Sequence, residues 1–166
     1  MRINHIVFTL TLLLVSYTLN AQKSSDEAFD SMLDELLTQS VPYVTVEELK
    51  LLDNVVLLDA RPEKEYEVSH LKGSECVGFE SFNKGKVAHL SPDDTIVVYC
   101  SVGYRSEKVG EKLQALGFKN VYNLYGSIFE WVNQGNSVVN AHGETEEVHT
   151  YNKEWSQWLK RGNKVW

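Results

Sequence analysis

The stretch Thr95-Ile96-Val97-Val98-Tyr99-Cys100-Ser101-Val102-Gly103-Tyr104-Arg105-Ser106 decides the fold. Its first half is a short apolar run rich in β-branched residues, the pattern of a strand buried on both faces. Its second half breaks that pattern with a cysteine, a glycine and an arginine. An amphipathic helix is predicted from Ser106 to Leu116, with Val109, Leu113 and Leu116 on one face and Gly117 as its stop. A buried strand that turns through a short loop into a helix sets the Cys100 thiol in a cradle of backbone N–H groups at a helix N-terminus. Such a place lowers a thiol pKa and favours an anion. The chemistry implied is nucleophilic sulfur chemistry on an anionic substrate.

Outward from this stretch, short apolar runs alternate with helical segments. Residues 43–44, 55–58, 75–77 and 121–124 read as strands, and 46–52, 62–68 and 128–133 as helices. Thr45 with Glu48 forms a capping box, and Pro62 suits a first helical turn. Strand–helix alternation of this kind gives an open α/β layer fold, in which ligands bind outside the carboxyl ends of the strands. Cys100 sits at such an end. Residues 22–40 hold an amphipathic helix over 24–40, with Phe29, Met32, Leu33, Leu36 and Leu37 on one face and a capping box of Ser24 with Glu27. Residues 140–166 fit the alternation poorly. Trp155, Trp158 and Leu159 lie at helical spacing, so a helix over 152–160 is expected there, packing an extension on the domain.

At 166 residues the chain holds one domain with a real core, and its net charge of −7, with no basic stripe, argues against a nucleic-acid partner. Arg2, the apolar run 6–15 and the small residue Ala21 have the layout of a secretory signal cleaved after Ala21. The alternative, an uncleaved anchor, needs roughly 20 apolar residues, more than the run supplies. Export to the periplasm or beyond is the expectation. Only Cys76 and Cys100 are present, so no disulfide framework exists.

Several ordered motifs resemble those of rhodanese-like domains. Leu58-Asp59-Ala60-Arg61-Pro62-Glu63-Lys64-Glu65-Tyr66 is similar to their Asp-Val-Arg and Glu-Tyr signature, and Ser69-His70-Leu71-Lys72-Gly73-Ser74 to their Gly-His-Ile-Pro-Gly-Ala segment. The run 98–106 resembles their active-site loop, and 116–121 with 126–131 the close of their domain. The resemblance spans 41–139. It implies a three-layer αβα fold on a five-stranded parallel sheet, with the N-terminal helix and the C-terminal extension added. It also implies a sulfurtransferase without cofactor or metal. Cys100 would take sulfane sulfur from a small anionic donor such as thiosulfate, hold it as a persulfide, and pass it to cyanide or a thiol, a periplasmic protein thiol included.

Ser101, Val102, Gly103, Tyr104, Arg105 and Ser106 would bind substrate, with Arg105 supplying charge and a fork of donors for a sulfonate. Asp59, Arg61 and His70 would be structural support. Ser69 and Lys72 depart from the family's glycine and proline, and Cys76 from its asparagine or histidine. The family's strand order separates Cys76 from Cys100 by two strand positions, ~10 Å, too far for a disulfide. Cys76 is expected as a small buried hydrophobe. His142 and His149 lack a third ligand at a diagnostic spacing, so a solvated tail is their default. Two rivals remain. One is a phosphatase, whose cysteine-to-arginine loop is longer than the four residues here. The other is a non-catalytic binding module.

Overall fold

A computed structural model describes residues 23–166. The expected signal segment, 1–21, lies outside the described residues. Among those described, no helix is long and apolar enough to cross a membrane.

In chain order the elements are α1 (Glu27–Leu36), β1 (Tyr43–Val44), α2 (Val46–Leu49), β2 (Val55–Asp59), α3 (Glu63–Val68), β3 (Glu75–Cys76), β4 (Thr95–Tyr99), α4 (Tyr104–Ala115), β5 (Asn120–Leu124) and α5 (Ser127–Asn133). The extension adds β6 (Val138–Asn140), β7 (Gly143–Thr145), β8 (Glu147–His149) and β9 (Asn163–Val165). The first five strands form one parallel sheet in the order β1-β5-β4-β2-β3. Successive residues of a strand point to opposite faces, and β4 divides two cores in that way. Ile96, Val98 and Cys100 pack with Val109 and Leu113 of α4, whereas Val97 and Tyr99 pack with Phe29 and Leu33 of α1 and with Ile128 and Phe129 of α5. The layers are therefore α4, the sheet, and a second helical layer of α1, α2 and α5.

Local differences from the sequence expectation have physical causes. Asp26, not Ser24, caps α1. Its carboxylate accepts the Ala28 and Phe29 N–H groups at 2.8 and 3.2 Å, while the Ser24 hydroxyl is turned to the Asp26 backbone. The helix stops at Leu36 rather than near 40 because buried Glu107 of α4 captures the next segment: its carboxylate accepts the N–H groups of Thr38 and Ser40 and the Thr38 hydroxyl, each at 3.1 Å. The Thr45–Glu48 capping box is present, but α2 ends at Leu49. Helix α4 starts two residues before Ser106, at Tyr104, because Gly103 with φ +128° turns the chain straight into it.

The expected helix at 152–160 is only a short 3-10 turn, Trp155–Trp158. The rest of the extension is two small sheets, antiparallel β6–β7 and parallel β8–β9. It is nonetheless core structure. Val148 and Leu159 are fully buried in the α1 and α5 layer, Trp158 stacks on Phe29 at 5.5 Å, and residue 70 is bridged to Val139. His149 is buried too, so for that residue the solvated-tail expectation fails.

Both cysteines are free thiols, and β2 lies between their strands as expected. Cys76 is only half-buried rather than a fully buried hydrophobe, because β3 is an edge strand. Its thiol donates to the Arg61 carbonyl at 3.5 Å, and burial together with the nearby Glu63 carboxylate pushes its pKa up to about 12. It is a poor nucleophile at neutral pH.

Candidate active site

Cys100 leaves β4 at its carboxyl end, nearly enclosed at 1% exposure. The start of α5 ties the loop down. The Cys100 N–H donates to the Ser127 hydroxyl at 3.1 Å, and the Cys100 and Ser101 carbonyls accept from Ile128 and Phe129 at 3.2 Å each. The loop then curls so that the Gly103 N–H donates to the Cys100 sulfur at 3.2 Å. A Cβ on Gly103 would be strained at its φ and would meet Leu37 at 3.3 Å. Asn123 of β5 pins the curl from the buried side, donating to the Gly103 carbonyl at 3.0 Å.

The Ser106 hydroxyl has one proton and three acceptors in reach: Asn123 Oδ1 at 2.7 Å, the Gly103 carbonyl at 3.0 Å and the Cys100 sulfur at 3.5 Å. Its nearest partner is Asn123, so the sulfur shares that proton with two oxygen acceptors. Burial raises the Cys100 pKa, but the Arg105 guanidinium and the Ser106 and Gly103 donors outweigh it. The thiol is held below its ordinary value. The first turn of α4 adds the positive end of its dipole.

Arg105 is not open to a ligand along its whole fork. Nη1 and Nη2 donate to the two carboxylate oxygens of Glu65, both at 2.9 Å, and Nη2 also donates to the Ser101 hydroxyl at 2.9 Å. Glu65 is itself 1% exposed. The pair is bidentate, the strong form of such a contact.

Of the loop residues expected to bind substrate, Ser101, Val102, Tyr104 and Arg105 line a cleft of about 540 Å³ over Cys100. Gly103 and Ser106 do not line it; Ser106 is fully buried on the other side of the loop. Asp59, Arg61 and His70 stand outside the cleft. Asp59 and Arg61 form a fully buried ion pair with a shortest contact of 2.6 Å, and Arg61 also donates to the Ser69 carbonyl at 2.7 Å. The His70 ring stacks on Tyr66 at 3.7 Å and its Nδ1 meets the Tyr66 carbonyl at 2.9 Å.

Sequence reasoning passed over Glu65, Asn123 and the far side of the cleft. Glu65 lies inside a quoted motif, four residues beyond Arg61, and an acidic residue in such a motif was the available signal. Leu36 from α1 and Tyr151 and Trp155 from the extension also line the cleft, and no local pattern announces them.

Residues 45–134, just over half of the chain, match the rhodanese-like domain. The chain belongs to the rhodanese-like domain family. A tRNA uridine(34) hydroxylase of Photorhabdus laumondii is 32% identical over 114 residues, 64% of this chain and 31% of that protein. A probable adenylyltransferase/sulfurtransferase MoeZ of Mycobacterium tuberculosis is 31% identical over 81 residues, 48% of this chain and 21% of that protein. The rhodanese-like chain thus spans only a fraction of the length of these curated relatives. The BH2092 protein of Bacillus halodurans superposes with a TM-score of 0.57 at 21% identity, covering 70% of this chain and 87% of its own. The human single-domain sulfurtransferase TSTD1 does so at 0.51 and 20% identity, covering 57% and 98%. At these identities the two structures speak for the fold, and the α/β rhodanese fold stands.

Proposed function

We propose that this rhodanese-like protein is a sulfurtransferase that carries sulfane sulfur on Cys100. The carrying observation is the Cys100 sulfur, which accepts the Gly103 N–H beside Arg105 and is held below its ordinary pKa. In the reaction the thiolate attacks the outer sulfur of a donor such as thiosulfate. A Cys100 S–S bond forms, the donor's S–S bond breaks, and sulfite leaves with the electron pair. The persulfide then gives its outer sulfur to cyanide or a thiol, and the Cys100 thiolate returns. No general base is needed, because the lowered pKa favours the thiolate and the leaving group is a stable anion.

The test is the mass of the intact protein after incubation with thiosulfate, beside Cys100→Ser. Gain of one sulfur atom, absent in the variant and discharged by cyanide, is the expected result. A reduced, folded protein that gains nothing, with thiosulfate or any other sulfane donor, sinks the reading in favour of a binding module. Hydrolysis of p-nitrophenyl phosphate, expected to be nil, would instead favour a phosphatase.

The layout of the first 21 residues supports a further proposal, that the protein works outside the cytoplasm on a protein thiol or a small acceptor. Expressed from its full sequence, it is expected in the periplasmic fraction with Gln22 as first residue. Recovery only in the cytoplasm with Met1 intact refutes that location.

A further inference from the structure

We propose that the sulfane-sulfur donor of this site carries an apolar organic group, gripped by Tyr151 and Trp155 of the C-terminal extension. This rests on the sulfurtransferase reading above and names its substrate class. Three observations carry it.

First, the cleft is far roomier than a bare inorganic anion needs. Its about 540 Å³ lies in the range of sites that take organic ligands. Its wall is mostly carbon: Leu36, Phe79, Val102, Tyr104, Tyr151 and Trp155.

Second, the site holds more negative than positive charge. Arg105 is matched by Glu65, so the Cys100 thiolate leaves the cluster net negative, and Glu80 on the lining adds another carboxylate. A dianion meets repulsion there. A donor with one charge and an apolar group meets less, and it gains from burying that group.

Third, the aromatic wall is built into the extension. Tyr151 holds φ +66°, a conformation that costs energy for a residue with a bulky side chain and persists where surrounding structure imposes it. The imposing contacts are present. The Tyr151 N–H donates to His149 Nδ1 at 3.1 Å, the Thr150 N–H to the Val165 carbonyl at 2.7 Å, and the Asn152 N–H to the Thr150 carbonyl at 2.7 Å. The Tyr151 ring faces the Arg105 guanidinium at 5.5 Å, and the Trp155 N–H is anchored on Asn152 Oδ1 at 3.0 Å. Both aromatics lie outside the 45–134 span that matches the family, so the grip belongs to this chain's own extension.

With a thiosulfonate of such a group, the thiolate attacks the terminal sulfur. A Cys100 persulfide forms, the bond from that sulfur to the sulfonyl sulfur breaks, and an organic sulfinate leaves with the electron pair.

The experiment compares sodium benzenethiosulfonate with sodium methanethiosulfonate, which share charge and reaction and differ in the apolar group. Rates of sulfur loading onto Cys100 are followed by intact mass in the full chain and in Trp155→Ala, Trp155→Phe and Tyr151→Gly. Glycine at 151 removes the ring and relieves the strained φ, so that variant retains its fold. The wild type is expected to prefer the phenyl donor by about tenfold or more, the effect of filling an apolar pocket. Trp155→Ala and Tyr151→Gly should lose most of that preference, the phenyl donor falling much further than the methyl donor, and Trp155→Phe should keep it. An unchanged ratio in both variants, or an equal fall for both donors, overturns the proposal. Loading by neither donor refutes the sulfurtransferase reading instead. The slot is then decided by whether benzenesulfinate protects Cys100 from iodoacetamide better than methanesulfinate does, equal protection counting against it.

Discussion

Arg105→Met is expected to slow alkylation of Cys100 at pH 7 by about 10- to 100-fold, the effect of removing one close opposite charge from an ionised group. Cys100 is 1% exposed, and burial alone raises its pKa; the guanidinium charge is the strongest influence that brings it below the ordinary thiol. Without that charge the pKa of the thiol rises. The rate-versus-pH curve for iodoacetamide should therefore move its inflection upward, with the two proteins converging at high pH where both thiols are ionised. Glu65→Gln should move the inflection the other way, because it leaves the Arg105 charge uncompensated beside the sulfur. The same inflection in Arg105→Met and wild type would show that the loop N–H groups hold the thiolate unaided. Arg105→Met also strands Glu65, which is 1% exposed, and a buried ion pair broken on one side costs about 3–5 kcal/mol of stability.

The second large effect is expected at Asp59→Ala, again about 3–5 kcal/mol, read from urea unfolding. Both side chains of the Asp59–Arg61 pair have no exposure. Asp59 accepts Arg61 Nε at 3.0 and 3.1 Å, Nη2 at 2.6 Å and the Arg61 backbone N–H at 2.8 Å. Its removal leaves a guanidinium in the core with only the Ser69 carbonyl and the face of the Tyr99 ring, 5.7 Å away. The loss propagates to the segment after α3, because Tyr99 in turn binds the Leu71 N–H and the Ser74 hydroxyl. Arg61 Nη1 has no hydrogen-bond partner, so even the intact pair is imperfectly satisfied. The double change Asp59→Leu with Arg61→Met should accordingly recover most of the stability. A double variant no more stable than the single one would mean that the pair's shape, not its charge balance, holds this corner.

The strands and the thiolate loop were legible because each is written locally, whereas the strand order came only with the family resemblance. β4 is a short apolar run, Thr45–Glu48 is a contiguous cap, and Cys100, Gly103 and Arg105 sit within six residues. What escaped is written across distance. Glu107 ends α1 from the middle of α4, and Asn123 reaches the loop from the neighbouring strand. Glu65 finds Arg105 forty residues away. The Trp155 and Trp158 spacing read as a helix because both residues face the interior, yet the backbone there is bent by the strained Tyr151 and by Gly162 at φ +86°, and only one 3-10 turn forms. The wall of the cleft followed the same rule: its residues have meaning only once the extension is folded back onto α1.

That folding back imposes an order on biosynthesis. Tyr151 is added about fifty residues after Cys100, which at ~5–20 residues per second is about 3–10 s of translation. The Phe29 ring, made first, has no Trp158 to stack on until then. A growing chain therefore passes through an interval in which the nucleophile exists and the aromatic residues above it do not. The tethers that shape the loop, Asn123 to Phe129, are made before the aromatic residues that line the cleft above it.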